Sequence, residues 1–222
     1  MCAIFGSFNK TMFEVLHEAN KERGNFASSI VSIGEDDVYV AKFEGSPNMD
    51  SINYSDDCVY ITGHVQAPTS AKRDWSYDTS HPFESLSWSV SHNGVLTNTH
   101  EMRERYVDFI ENEVDTAVIV NMLQLFTELQ HGTKPSPVNI IKDTLNQLEG
   151  TYALSIIDTD TGELYIARCG SILHYDNKGN YSTNPGTGYK ELPEGVIMRL
   201  NKRTKKWNKV GVFDASSPFL FL

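Results

Sequence analysis

The order in which two hydrophobic periodicities follow one another limits this chain to few folds. Short apolar segments typical of strands fill most of the first and last parts of the sequence, whereas residues 99–148 carry the roughly 3.6-residue repeat of amphipathic helices. This order of strands, helices and strands predicts an α+β fold, with helices packed on the faces of largely antiparallel sheets. The chain contains no repeats or linkers, so residues 1–222 are expected to form a single domain.

Turn and cap residues divide the chain into predicted elements. Gly24 follows the first helix and suits a left-handed C-cap, and Asn93-Gly94 is expected to close a strand. Asp115 or Thr116 opens the longest helix, and Ser136-Pro137 supplies the N-cap and first-turn proline of the next. Strands are predicted at residues 3–8, 29–33, 38–43, 58–66, 86–92, 152–157, 164–167, 172–175, 196–200 and 207–213, and helices at 10–22, 99–110, from 115 or 116 as far as 131, and from 137 to 148.

The charge balance and the apolar segments exclude several partners. The chain has 19 Lys and Arg residues against 29 Asp and Glu residues, and this net charge of −10 disfavours binding to a nucleic-acid backbone. No apolar run approaches the ~20 residues of a membrane span, and the first residues lack the basic region of a secretion signal. We therefore expect a cytoplasmic protein that binds neither nucleic acid nor membrane. Three separated cysteines and seven scattered histidines predict no disulfide framework, no metal site and no cofactor.

Cys2 stands directly behind the initiating methionine. Removal of Met1 would leave a thiol and a free α-amine on one residue. The α-amine has a reference pKa of about 7.7–8.0 and can act as a base near neutral pH, while the thiol, at about 8.5, is a nucleophile. Cys2 is therefore a candidate catalytic residue. Cys58 and Cys169 lie in apolar segments and are expected to act as packing residues.

A series of short motifs follows in a fixed order. The motifs are Cys2-Ala3-Ile4-Phe5-Gly6, Arg23-Gly24, Gly63-His64-Val65, Pro68-Thr69, His81-Pro82-Phe83, His92-Asn93-Gly94-Val95, Asp115-Thr116, Leu148-Glu149-Gly150-Thr151-Tyr152-Ala153-Leu154 and Ala167-Arg168-Cys169-Gly170-Ser171-Ile172-Leu173. Together they resemble the glutaminase domain of the class II glutamine amidotransferases, which are N-terminal-nucleophile (Ntn) hydrolases. The resemblance covers about residues 2–173. It implies a four-layer αββα sandwich, in which two largely antiparallel sheets are flanked by helices.

The resemblance also implies the residues of a catalytic centre. Cys2 would be the nucleophile that forms a γ-glutamyl thioester, with its own α-amine as the general base. The side-chain amide of Asn93 and the backbone N–H of Gly94 would form the oxyanion hole.

Three further residues are implied as parts of the glutamine pocket. Asp115 would bind the α-ammonium group of glutamine, and Thr69 would line the same pocket. His64 would lie beside it, either as a pocket residue or as a histidine satisfied within the core.

Gln66 is a departure from the family pattern, because the family commonly has arginine at this position. That arginine is expected to clamp the α-carboxylate of the substrate through a bidentate, charged hydrogen bond. Gln66 carries no charge. Without the charge-assisted pair, binding of glutamine would be weaker by about 1.5–3 kcal/mol. Lys72 or Arg73, a few residues on, could compensate.

The leading hypothesis is an enzyme that hydrolyses glutamine to glutamate and ammonia. Only about 50 residues follow Leu173, so the synthetase that accepts the ammonia is expected on a separate polypeptide. Two alternatives remain open. The chain could be a catalytically inactive Ntn-fold subunit that binds or regulates a partner, or an Ntn amide hydrolase with a substrate other than glutamine. Gln66 favours both alternatives.

Overall fold

The computed structural model of the chain describes residues 2–35, 37–49, 52, 54, 57–67, 74–106, 114–129 and 136–215. Its helices are α1 (Lys10–Asn20), which continues into a 3-10 turn (Lys21–Arg23), α2 (Thr99–Arg105), α3 (Asp115–Leu129) and α4 (Pro137–Leu145). Its strands are β1 (Ala3–Ser7), β2 (Ala27–Ile33), β3 (Val38–Glu44), β4 (Tyr60–Gln66), β5 (Phe83–Glu84), β6 (Trp88–Leu96), β7 (Gly150–Asp158), β8 (Glu163–Cys169), β9 (His174–Tyr175), β10 (Tyr181–Ser182), β11 (Lys190–Glu191), β12 (Val196–Asn201) and β13 (Lys206–Val212).

The strands form two antiparallel sheets. The first sheet has the order β11-β9-β10-β1-β4-β2-β3, and the second has the order β13-β12-β8-β7-β6-β5. β1 therefore lies inside the first sheet, between β10 and β4, with Ala3 opposite Val65. In the second sheet β6 pairs with β7 along its whole length, from Trp88 opposite Asp158 to Leu96 opposite Gly150.

Four layers result from packing the apolar faces of these elements together. α1 lies on the outer face of the first sheet, into which it inserts Phe13. Ile4 of the first sheet and Ile166 of the second belong to one cluster that fills the space between the sheets. α3 and α4 cover the outer face of the second sheet, where Ile119 joins the same cluster as Leu154. The predicted α+β sandwich of two antiparallel sheets flanked by helices is confirmed.

Side-chain alternation within the strands accounts for these layers. In β1, Ala3 and Phe5 join the cluster under α1, whereas Ile4 between them joins the cluster between the sheets. In β7, Leu154 faces the helices and Ala153 faces the first sheet. Because successive residues of a strand point to opposite faces, a strand buried on both sides reads as a continuous apolar segment rather than an alternating one.

The start of α1 follows from cap chemistry that the sequence contains, and two further helices begin at predicted residues. The Asn9 side chain accepts a hydrogen bond from the Met12 N–H at the start of α1. α3 begins at Asp115, and α4 begins at Pro137 after the N-cap Ser136, as predicted. α2 ends at Arg105, and residues 107–110 of the predicted helix lie outside the described part of the chain.

Three local predictions are wrong. Asn93-Gly94 does not close its strand but lies within β6, because pairing with β7 extends the strand to Leu96. Cys58 precedes β4 instead of lying in it. Gly24 is extended, with φ −163°, rather than left-handed. Its lack of a side chain serves a close approach instead, because a Cβ there would collide with the main chain of Gln66.

Two expectations concern the chain as a whole: that it has no membrane span and that it forms a single domain. Among the described residues, the helices are too short or too polar for any of them to cross a membrane. The single domain over residues 1–222 stays a prediction.

Replacing Ile4 tests the inter-sheet core. Ile4 is fully buried between the sheets, so Ile4→Ala should lower the free energy of unfolding by about 2–5 kcal/mol through lost burial and the cavity it leaves. Val15→Ala, which truncates an exposed side chain on α1, should change it by about 0.5 kcal/mol or less. Urea denaturation measures both. Equal effects would contradict the assignment of Ile4 to the core.

Candidate active site

Cys2 is held at the entrance to β1, one residue before the strand begins. Its main-chain carbonyl accepts a hydrogen bond from Arg23 Nε at 3.1 Å, which ties it to the 3-10 turn after α1. Its thiol is within electrostatic reach of Asp115, which accepts a hydrogen bond from Leu96 of β6, so the sulfur lies near the second sheet. The thiol therefore lies at one end of the space between the two sheets.

The surroundings of Cys2 favour the protonated thiol. Burial is the largest cause that raises its pKa above the ordinary value, and the negative charge of Asp115 adds to this rise. A hydrogen bond from the backbone of Ala67 and the positive charge of Arg23 oppose it. Asp115 and Arg23 are thus both within electrostatic reach of the sulfur. A thiol with a raised pKa needs a nearby base to become a nucleophile at neutral pH.

Asn93 and Gly94 lie next to each other near the end of β6. Asn93 is buried and stands opposite Ala153, which belongs to the cluster between the sheets, so both share the face directed at the first sheet. Gly94 has no room for a side chain, because a Cβ there would collide with the carbonyl oxygen of Thr151 on β7. Asn93 therefore directs its side-chain amide from the second sheet toward the first sheet, at whose strand β1 Cys2 lies.

Asp115 is the first residue of α3 and is anchored from two sides. Its Oδ2 accepts a hydrogen bond from the Leu96 N–H at 3.3 Å and lies 3.7 Å from His92 Nδ1. The Thr116 hydroxyl donates to its Oδ1 at 3.3 Å. Burial acts to raise the pKa of Asp115, but the hydrogen bond and charge of His92 and the backbone N–H groups hold it below the ordinary value. The carboxylate is therefore ionised and fixed in direction at neutral pH.

The Gln66 side chain is engaged within the protein. Its Oε1 accepts hydrogen bonds from His81 N at 3.3 Å and from the His81 ring, whose Nδ1 lies 3.2 Å away. Its Nε2 donates to the carbonyl oxygen of Thr79 at 3.4 Å. Gln66 thus shapes the segment between β4 and β5, and it brings no charge to the pocket.

His64 is a buried, neutral histidine. Burial lowers its pKa to about 3, and its Nε2 donates to the main-chain carbonyl of His92 at 3.1 Å. Its ring stacks on that of His81 with a centroid distance of 4.0 Å. These contacts agree with a histidine satisfied within the core beside the pocket.

The sequence reasoning assigned no role to His81, Thr116 or the His92 side chain, although all three occur in the quoted motifs. In the structure, Thr116 Oγ1 lies 2.8 Å from His81 Nε2 and 3.2 Å from His92 Nδ1. No local spacing could reveal this, because the three residues lie on different parts of the chain. Thr69, Lys72 and Arg73 fall outside the described residues. Among the residues that are described, no cluster of His, Cys, Asp and Glu could hold a metal ion.

Comparison with known proteins gives one family and several longer relatives. A family model described as a glutamine amidotransferase domain matches residues 76–171. Glutamine–fructose-6-phosphate aminotransferase (isomerizing) of Oceanobacillus iheyensis is 28% identical over 214 residues, which are 91% of this chain and 33% of that protein. The protein of the same name from Listeria innocua is 35% identical over 126 residues, covering 54% of this chain and 20% of that protein. The chain thus spans a third or less of the length of these relatives.

Solved structures share the fold at low sequence identity. Glutamine phosphoribosylpyrophosphate amidotransferase from B. subtilis matches with a TM-score of 0.71 and 16% identity, covering 95% of this chain and 49% of that chain. A predicted glutamine amidotransferase from Pseudomonas aeruginosa matches with a TM-score of 0.50 and 13% identity, covering 94% of this chain and 95% of that chain.

Substitution of Gly94 tests the close contact between β6 and β7. Gly94→Ala should destabilise the protein by about 1–3 kcal/mol, because the added Cβ must push the Thr151 carbonyl aside. Gly186→Ala is a matched control, since a Cβ at Gly186 meets no atom within 4 Å. Thermal unfolding of both variants measures the difference. A Gly94→Ala variant as stable as the control would contradict the geometry.

The lowered pKa of Asp115 predicts a pH-dependent contribution to stability. Asp115→Asn should lower the free energy of unfolding at pH 7 by about 1.5–3 kcal/mol, because the charged hydrogen bonds are lost. A depressed carboxyl pKa stabilises the folded state above the unfolded value of about 3.9 and loses this effect as the pH falls through the folded value. The difference between variant and wild type should therefore shrink below about pH 4. Denaturant titration at several pH values measures it, with Asp143→Asn on the exposed side of α4 as the control.

Proposed function

We propose that this chain, which carries a class II glutamine amidotransferase domain as its motifs predicted, releases ammonia from the side-chain amide of glutamine at Cys2. One observation carries the proposal. Cys2 lies beside the first sheet, at the end of the space between the sheets, and is within electrostatic reach of Asp115. The Asn93 side chain, on the second sheet, faces the first sheet.

Catalysis would begin with removal of Met1, which exposes the α-amine of Cys2. The amine takes the thiol proton, and the sulfur forms a bond to the amide carbon of glutamine. The C–N bond then breaks, and the nitrogen leaves as ammonia with the proton that the amine returns. Water cleaves the resulting thioester to give glutamate. The raised pKa of Cys2 is the reason that this base is needed.

Asn93 and Gly94 would stabilise the oxyanion of each tetrahedral intermediate. The side-chain amide of Asn93 and the backbone N–H of Gly94 are the two donors in this proposal. Their place in β6, which pairs with β7 along its whole length, supports it, because oxyanion donors are effective only when they are held in position before the reaction.

Asp115 would bind the α-ammonium group of glutamine, as its ionised and directed carboxylate allows. Thr69 is proposed to line the same pocket. Gln66 would offer the substrate one amide N–H, since its other polar positions already bind His81 and Thr79. His64 would support the pocket wall through its stacking on His81.

The ammonia acceptor is proposed to lie outside these 222 residues. Two thirds of the Oceanobacillus relative lie beyond its match to this chain, which supports an acceptor site on another domain or on a separate synthetase protein. Co-purification with the native host extract tests for such a synthetase.

Ammonia release and intact mass test the proposal together. Protein that has lost Met1 should release ammonia and glutamate from glutamine, and Cys2→Ser should reduce this to the background rate. Asn93→Ala should lower kcat by about 10²–10³-fold. Cys58→Ser, which alters a half-buried cysteine before β4, is the control and should keep the wild-type rate. Processed protein that releases no ammonia at saturating glutamine would refute the proposal, and release from another amide would favour an amide hydrolase of different specificity.

A further inference from the structure

Lys42 joins an edge of the first sheet to an edge of the second. It lies on β3, the last strand of the first sheet, and its Nζ is 3.5 Å from Oε2 of Glu84 on β5, the last strand of the second sheet. Val38 and Val40, on the same face of β3, pack against the cluster between the sheets. The Lys42 side chain is only 4% exposed. An ammonium group buried to this extent needs polar partners that replace water.

Tyr77 supplies further partners of this ammonium group. Lys42 Nζ donates to the main-chain carbonyl of Tyr77 at 3.1 Å and lies 3.9 Å from the centroid of its ring. The Tyr77 hydroxyl donates to Glu84 Oε2 at 3.3 Å. Burial lowers the pKa of Lys42, and the charge of Glu84 opposes this. Lys42 is thus bound both to β5 and to the segment of chain that leads into it.

Tyr77 belongs to a hydrogen-bonded turn over residues 76–80. Its carbonyl accepts a second hydrogen bond from the Ser80 N–H at 3.4 Å. The Thr79 N–H donates to Ser76 Oγ at 3.2 Å, and the Ser80 hydroxyl donates to the Ser76 carbonyl at 2.8 Å. Because these bonds tie the turn together, a displacement of Tyr77 is expected to displace Thr79 as well.

The Gln66 side chain depends on the same turn. Its Nε2 donates to the Thr79 carbonyl at 3.4 Å, and its Oε1 accepts from the N–H of His81, which follows the turn, at 3.3 Å. Both distances are long for neutral hydrogen bonds, whereas the bond from Lys42 to Tyr77 is shorter and charge-assisted. Lys42 is therefore the stronger anchor of the turn, and the turn orients Gln66 rather than the reverse.

Packing alone does not hold the turn. A cavity of about 220 Å³, lined in part by Lys42, Tyr77, Glu84 and Asn121 of α3, adjoins it, and the Tyr77 side chain is 48% exposed. The place over the Tyr77 ring and beside Glu84 suits an organic cation. Lys42 already fills that place, which favours an internal anchor over a site for an external ligand.

We propose that Lys42 is a positioning residue for the glutamine pocket. Its ammonium group holds the turn at residues 76–80, and the turn holds the Gln66 amide in the direction that offers one N–H to glutamine. This inference rests on the proposed function, in which Gln66 donates to the substrate. Because Lys42 acts on binding and not on the attack by Cys2, its loss should raise KM and leave kcat nearly unchanged.

Hydrogen–deuterium exchange of the backbone amides tests the link to the turn and needs no turnover. Lys42→Met keeps most of the side-chain length and removes the charge. The amides of residues 76–81 should then exchange about tenfold faster or more, while those of β7 keep the wild-type rate. Lys42→Arg keeps a cation beside the Tyr77 carbonyl and should restore slow exchange. Glu84→Gln removes only the partner's charge, so it should have a smaller effect, and it serves if Lys42→Met does not fold.

Glutamine binding tests the link to the pocket. In Cys2→Ser protein, which does not turn over, Lys42→Met should raise the Kd for glutamine measured by calorimetry by about 3- to 30-fold. In protein that retains Cys2, KM should rise by a similar factor while kcat changes less than about twofold. Gln66→Leu removes the amide that the turn orients. Adding Lys42→Met to Gln66→Leu should therefore have no further effect on Kd.

Lys10→Met is the matched control. Lys10 also pairs with a glutamate, Glu14, and lies 5.0 Å from the ring centroid of a tyrosine, Tyr54. Its side chain is 53% exposed, and it belongs to α1 on the outer face of the first sheet. Lys10→Met should leave both the exchange of residues 76–81 and the Kd for glutamine unchanged.

The outcomes separate this inference from the proposed function. It is overturned if Lys42→Met leaves the exchange of residues 76–81 unchanged, if β7 exchanges faster by the same factor, or if the effects of Lys42→Met and Gln66→Leu on Kd add. Ammonia release together with any of these results would keep the glutaminase and remove Lys42 from its pocket. Exchange and Kd that respond as described support the inference even where processed wild type releases no ammonia, and then only the proposed reaction fails.

Discussion

The pairing of β1 inside the first sheet positions Cys2. Residues near the start of a chain are mobile unless a sheet or a docked element holds them. Here the Ile4 N–H donates to Thr183 Oγ1 at 3.1 Å, the Thr183 N–H donates to the Ile4 carbonyl at 2.9 Å, and β4 pairs along the other side. A slip of one residue would turn Ile4 out of the inter-sheet core and turn Cys2 away from the second sheet at the same time. The register that buries the core is therefore also the register that aims the thiol.

The electrostatics of the site move the pKa values of two acids, Asp115 and Cys2, further apart than their ordinary values. Burial and the charge of Asp115 raise the pKa of Cys2, while His92 and the surrounding N–H groups lower that of Asp115. At neutral pH the carboxylate is charged and the thiol retains its proton. The Asp115 carboxylate can therefore bind a cationic group at neutral pH. The Cys2 thiol becomes a nucleophile only when a base removes its proton. An α-amine on the same residue satisfies that condition by covalent attachment.

The sequence was sufficient for those parts of the structure that depend on local chemistry. The first residues of α3 and α4, Asp115 and Pro137, were predicted from residue type, and most long strands were predicted from apolar periodicity. The order of the layers was implied by the family resemblance. Tertiary pairing decided the rest. β5, β10 and β11 contain two residues each and have no periodicity to detect, and the strand predicted at residues 172–175 is shorter in the structure, where β9 covers His174–Tyr175. Asn93-Gly94 lies in a strand because β7 pairs beyond it. Leu129 matches the apolar stripe of α3 yet is 64% exposed, because it lies at the end of the helix. The candidate residues could be named from motifs, whereas the contacts among Gln66, His81 and Thr116 could not.

Residue 66 is coupled to the rest of the site because buried polar groups must be satisfied together. A half-satisfied buried network is less stable than a complete one or an apolar core, so its members cannot be exchanged independently. Arginine at position 66 would present donors to His81 N–H and Nδ1–H, which both need an acceptor there. Accommodating it would require the His81 backbone N–H to find another acceptor. Gln66 is thus best understood together with His81, because its amide oxygen accepts from the backbone N–H of that histidine and lies 3.2 Å from its ring Nδ1.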